Sequence, residues 1–226
     1  MNERDTYEQP TGEAAALAAD RGLGQWQRTF RMKQSRLFGK HNASRLYLYD
    51  SGTVVTGPEG FGAAYAWDTV RVLRYLSTRN GVPWDARYTL LDPQGAAVNI
   101  GPGTRVFLKD EKRALGITSL VQGALFLWPD VWGEHILRAV TRAQLPKALA
   151  ALERGGTVDF GAYKVDQHVL AGRRHSAPWS QITEISSYSG RLIFNGSLKR
   201  TTVDSADLQS IANPDLFLRL CRHLMG

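Results

Sequence analysis

The residues best suited to chemistry near neutral pH are five histidines (His41, His135, His168, His175 and His223) and one cysteine, Cys221. A metal site needs several ligands at helix or loop spacing. No histidine here stands in an HExxH pair, a Cys/His ligand set or a His-rich run. His135 opens a helical pattern and His223 closes one, where either can serve a cap or the helix dipole. His168 and His175 bracket Arg173 and Arg174, a basic patch that suits an anion better than a metal. Cys221 has no intramolecular thiol to pair with, as expected of a reducing compartment. The loop with Gly57, Gly60 and Gly62 lacks the Lys-Ser/Thr pair and following helix that would cradle phosphate. Ser187, Ser189 and Gly190 do not form a nucleophile elbow. Asp110-Glu111 and Asp204/Asp207 fall in expected loops or turns, where solvation accounts for them. The expectation is a non-enzymatic binding or scaffold protein with no cofactor and no metal. An active site assembled from distant loops is the alternative that a motif search does not see.

Charge and apolar clustering point to binding surfaces. The net charge is +7, and Arg21, Arg28, Arg31, Lys33, Arg36, Lys40 and Arg45 fall in one segment without Asp or Glu. Such a face can meet anionic lipid, nucleic acid or an acidic protein, or can be a solvated hairpin. Arg28, Arg31, Lys33 and Arg36 interleave with Trp26 and Phe30, the pattern of a phosphate-and-stacking surface. The same aromatics alternate like core residues of a strand, so nucleic acid is not the expected partner. Residues 117–132 are apolar for a connecting segment, with Leu125, Phe126 and Trp128 as protein-contact candidates if exposed. Gln122, Gly123, Pro129 and Asp130 interrupt the run, and it falls short of the ~20 residues of a membrane span. The first 20 residues lack the layout of a signal peptide.

The elements that would position these residues are mostly strands. Apolar alternation and turn residues predict strands over 26–32, 45–49, 53–56, 65–75, 86–91, 97–100 and 105–108. A loose tail over 1–20 contains a short helical pattern at 13–19. Helical spacing takes over near Glu134 with Ile136, Leu137, Val140 and Ala143, then Leu145, Ala148, Leu149 and Leu152. Pro146 should kink that helix or open a second one, and Gly155-Gly156 should end it. Strands resume over 157–160, 163–166, 169–170, 182–187, 191–194 and 200–203. A last helix follows, with Asn213 as cap, Pro214 at its first position, and Phe217, Leu220, Cys221 and Leu224 on one stripe.

The two halves share more than this order. Asp50 precedes Trp67 by 17 positions, and Asp166 precedes Trp179 by 13. These four are structural repeat positions of an internal duplication, each Asp suited to a turn and each Trp to covering a sheet end. The strings YLYDSGTVV, AYAWDTVRVL, LPKALAALERGGTVDFG and APWSQITEI resemble an uncharacterised bacterial family that carries tandem pleckstrin-homology-like (PH-like) modules. That resemblance implies a mainly β fold with α: two PH-like modules, each a bent antiparallel sheet or small barrel capped by an amphipathic helix. The first would span 21–154, with an apolar insertion around 104–132, and the second, compact one 157–226. Such a fold hosts lipid binding, peptide binding and scaffolding, and with the apolar 117–132 segment the expectation is binding of protein, a second copy included. Peripheral attachment to anionic membrane lipid is the alternative, with Lys33, Lys40 and Arg45 placed like part of a headgroup motif. Ala43 stands where that motif has a second base. The expected location is cytoplasmic, at the inner membrane face if lipid is the ligand.

Overall fold

A computed structural model describes residues 7–32, 39–79, 82–102, 107–172, 175–188, 190–196 and 202–226. Strands β1 (Trp26–Arg31), β2 (Arg45–Tyr49), β3 (Gly52–Thr56) and β4 (Gly62–Ala66) pair in that order as one antiparallel sheet. A second sheet runs β5 (Arg71–Arg79), β6 (Val82–Leu91), β7 (Ala96–Ile100) and β8 (Ser119–Gln122), with β8 parallel to β7. Helices α1 (Gly12–Asp20), α2 (Lys109–Leu115) and α3 (Pro129–Glu153) complete the first half. The second half has β9 (Val158–Asp159), β10 (Tyr163–Val165), β11 (Val169–Gly172) and β12 (Ser176–Pro178) in one sheet. Strands β13 (Ile182–Tyr188), β14 (Arg191–Gly196) and β15 (Thr202–Asp207) form another, and helix α4 (Pro214–Met225) follows.

This overturns the expected pair of PH-like modules built on bent sheets or small barrels. The fold is mixed α/β, and its sheets are open and flat, none closed into a barrel or strongly curled. The reason lies in how the sheet faces are covered. Along β2 and β3, Leu46, Leu48 and Val55 face the main core, whereas Tyr47, Tyr49 and Val54 face α1 with Ala14, Ala18 and Leu23. A sheet buried on both faces has no bare apolar surface to hide by curling on itself. The helical pattern at 13–19 is therefore a docked element: Thr11 caps it, its hydroxyl accepting from the Ala14 N–H.

Helix α3 belongs to both halves. Trp132, Ile136, Leu137 and Val140 are buried in the first core, and Ala148 and Leu152 in the second. Each of the large ones contributes about 2 kcal/mol by burial. Pro146 opens no second helix, because one helix is continuous through it. The carbonyl its missing N–H would have met belongs to Arg142, an exposed residue. Near the start of α3, a Cβ on Gly133 would collide with the buried ring of Tyr88, so glycine lets helix and sheet approach. The second core stacks Tyr163 on Phe217 at 5.5 Å, with Phe160 and Phe194 edge-on to the latter.

A third cluster, from Leu73, Leu91, Ala97, Phe107, Leu115, Ile117 and Ala212, joins the halves. Beside it lies a polar tie. Asn213 adopts φ 49° and turns its side chain away from α4, which it precedes without capping through that side chain. Its Oδ1 accepts from the Val72 N–H at 2.7 Å, and its Nδ2 donates to Val70 O at 3.2 Å and to Gln144 Oε1 at 2.9 Å. Gln144 in turn donates to the carbonyls of Trp67 and Val70, both at 2.8 Å.

Candidate functional site

Strand β5 is an edge strand, and its register tells which backbone groups face outward. Val72 donates its N–H to Asn213 and accepts the Asn213 N–H at 2.8 Å, so both of its peptide groups point away from β6. In an antiparallel pair this orientation recurs at every second residue. The pairing runs unshifted from Arg71 to Ser77, so Arg74 and Leu76, opposite Tyr88 and Ala86, also turn their N–H and C=O outward. No described backbone group pairs with them.

These groups open onto a groove of about 770 Å³. Arg74 to Ser77 form one side, and Ser187, Tyr188, Gly190, Arg191 and residues 207–209 form the other. Leu76 is 42 % exposed and Tyr188 75 %, which gives the groove an apolar rim. Arg191 is engaged within its own sheet, 3.2 Å from Asp207 and 3.0 Å from the Ser205 hydroxyl. The Arg74 Nε is buried and meets no described acceptor. Nearby Arg71 donates to Leu115 O at 2.9 Å, and burial lowers its pKa against the opposing pull of Asp159. A wider cleft of about 920 Å³ lies beyond Asp207, and there the Tyr163 phenol is buried beside Asp204. Burial first, and then the Asp204 charge, push its pKa far above the ordinary value.

The residues singled out in the sequence are dispersed. Phe126 is in the main core, bridged to Met32, and the Leu127 N–H donates to Arg31 O at 2.8 Å. Leu125 is half-buried, and Trp128 is 40 % exposed at the left-handed N-cap of α3. Arg31 and Arg45 converge on Glu8 at 2.6 and 2.8 Å, and Arg45 also donates to Asn42 O and Ser44 O. Burial would raise the Glu8 pKa, but the bonds from Arg45 and Arg31 outweigh it and hold the carboxyl below 4.5. Lys33, Arg36, Arg173, Arg174 and the side chain of Lys40 lie outside the described residues. Asp166 accepts the His168 and Val169 N–H groups across its turn, whereas Asp50 accepts the Gln25 N–H from the neighbouring chain segment. Trp67 and Trp179 are both buried, and the Trp179 indole donates to Asp166 O at 2.9 Å.

Arg28 does find basic company. It lines a cleft of about 240 Å³ with Gln27, Phe30, Leu48, Val131, His135 and Arg138. The ring of Trp67, 6.3 Å from that of His135, lines the adjoining cleft of about 580 Å³ with Arg21 and Arg142. Burial, followed by the charges of Arg28, Arg138 and Arg142, lowers the His135 pKa below 6.5. Positions 135, 138 and 142 share one helical stripe, a spacing present in the sequence that says nothing of the cleft it faces. Leu76 and Tyr188 carry no comparable signal, since their exposure depends on which strand ends at a sheet edge. Among the described residues, no group of three or more His, Cys, Asp and Glu is placed to hold a metal, and no helix is long and apolar enough to cross a membrane.

A family model described as a family of unknown function (DUF6585) matches residues 96–225, from β7 to the end of α4. No curated protein and no solved structure matches the chain.

Proposed function

The chain belongs to the DUF6585 family of unknown function, and from there we propose that it is a non-catalytic platform that binds an extended segment of a partner protein along β5. The observation that carries this reading is the outward pair of Arg74 and Leu76 peptide groups beside an open groove. An added strand satisfies such groups by main-chain hydrogen bonds, and pockets beside alternate side chains set specificity. Arg74, whose Nε has no acceptor and which meets no carboxylate among the described residues, suits an acidic residue in the segment, and Leu76 with Tyr188 suits an apolar one. Rigidity adds to these contacts: the bond from the Val72 N–H to Asn213 ties the edge strand to the residue that precedes α4.

Leu76→Pro tests the reading. It removes an outward N–H but no rung of the β5–β6 ladder, so the fold should stay intact. Partner proteins recovered from the native cell with the unaltered chain should be lost with Leu76→Pro and weakened with Arg74→Glu. A synthetic segment of the recovered partner should then bind the unaltered chain directly. Equal recovery with folded Leu76→Pro sinks the proposal. A dimer abolished by the same substitution would replace the foreign partner with a second copy.

A further inference from the structure

We propose that the two neighbouring clefts along α3, one walled by β1 and the other by the turns at Arg21, Asp50 and Trp67, form a binding site for a phosphate-bearing ligand, held by Arg28 and Arg142 with Arg21 and Arg138 at its rim. The site lies apart from the β5 groove and stands independently of the reading given above. Four arginines line the two adjoining clefts, while the acidic groups around them are already engaged. Asp68 is 2.8 Å from Lys147, Glu134 is 2.9 Å from Arg138, and Asp50 accepts from the Gln25 N–H and the Gln27 amide. Arg28 and Arg142 meet no carboxylate among the described residues. A like-charged group of this kind, gathered from the end of α1, from β1 and from α3 around a concave surface, is repulsive until an anion enters. The planar fork of arginine matches phosphate oxygens two at a time, which favours phosphate over a carboxylate of lower charge.

Two further observations agree. Trp67 lines the larger cleft and is 2 % exposed, and its buried indole N–H has no acceptor among the described residues. His135, between the two clefts, is kept neutral by burial and by Arg28, Arg138 and Arg142, with Glu134 the carboxylate on its own helix. A bound polyanion offsets those three charges and restores the imidazolium, so binding should take up a proton.

The site takes either a free phosphate compound or a lipid phosphate headgroup, and two probes separate them. Pyrophosphate titrated into the full chain by calorimetry should bind saturably, and the His135 ring resonances should report a raised pKa. Arg28→Gln/Arg142→Gln should weaken pyrophosphate at least about tenfold while leaving the unfolding transition in place. If the double variant does not fold, each single variant serves instead. Sedimentation with phosphatidylcholine vesicles containing phosphatidic acid, reversed by pyrophosphate, assigns the site to a headgroup. Pyrophosphate binding without vesicle binding assigns it to a free phosphate compound. No saturable pyrophosphate binding, or binding that folded variants leave unchanged, overturns the proposal. Vesicle binding alone overturns it as well, since diffuse surface charge would then suffice.

Discussion

At the scale of single residues, Asn213 and His135 show what sequence pattern hides. Asn213 was legible as the residue before a helix, but its bonds reach Val72 and Gln144, 141 and 69 positions away, and no local pattern encodes such a reach. Replacing it by Ala strands the buried Val72 N–H and puts in the left-handed region a residue that tolerates it less well than Asn, a loss of about 3 kcal/mol in urea unfolding. Asn213→Gly loses the same bonds without the backbone strain and should be less destabilised by about 1 kcal/mol. His135 sets a pH dependence. Its folded pKa lies below the 6.5 of the unfolded chain, so the unfolded state takes up the proton first. Stability should be full above that value, fall as pH drops toward the folded pKa, and then level off. His135→Gln should remove this component of the slope as pH falls below 6.5, and an unchanged slope would contradict the assignment.

At the scale of elements, strands β2, β3 and β7 and both long helices were readable because apolar periodicity and turn residues act locally. The start of α3 was less so. Periodicity suggested Glu134, whereas Pro129 supplies the first turn after the left-handed Trp128, the usual place for a helical proline. Sheet openness was not legible, since it depends on α1 covering one face and α3 the other. The α3 contact with β6 gives a prediction opposite to helix propensity. Gly133→Ala should favour an isolated helix by about 1 kcal/mol, yet lower the stability of the protein because the new methyl meets Tyr88. Thermal unfolding decides the sign.

At the scale of the molecule, the charge total was plain in the sequence, but its distribution was not. Glu8 takes up Arg31 and Arg45 from 23 and 37 residues away, leaving Arg28 to join the arginines of α3. The expected division between 154 and 157 falls at the end of α3, but that helix is common property of the cores on both sides. Leu152→Ala, a cavity in the second core worth 2–5 kcal/mol, should therefore loosen the first as well. Hydrogen exchange of β3 and β6 amides should quicken together with that of β14. A change confined to β14 would show the halves to be energetically separate.

The shared helix also has a consequence in time. While the chain is being made, α3 can dock on β1–β8 as soon as it clears the ribosome, but Leu145, Ala148, Leu149 and Leu152 have nothing to cover them until the later strands arrive. At ~5–20 residues per second, translating the rest of the chain takes on the order of 4–15 s. For that interval the nascent protein carries an uncovered apolar stripe, and a chaperone or a neighbouring nascent chain has its opportunity there.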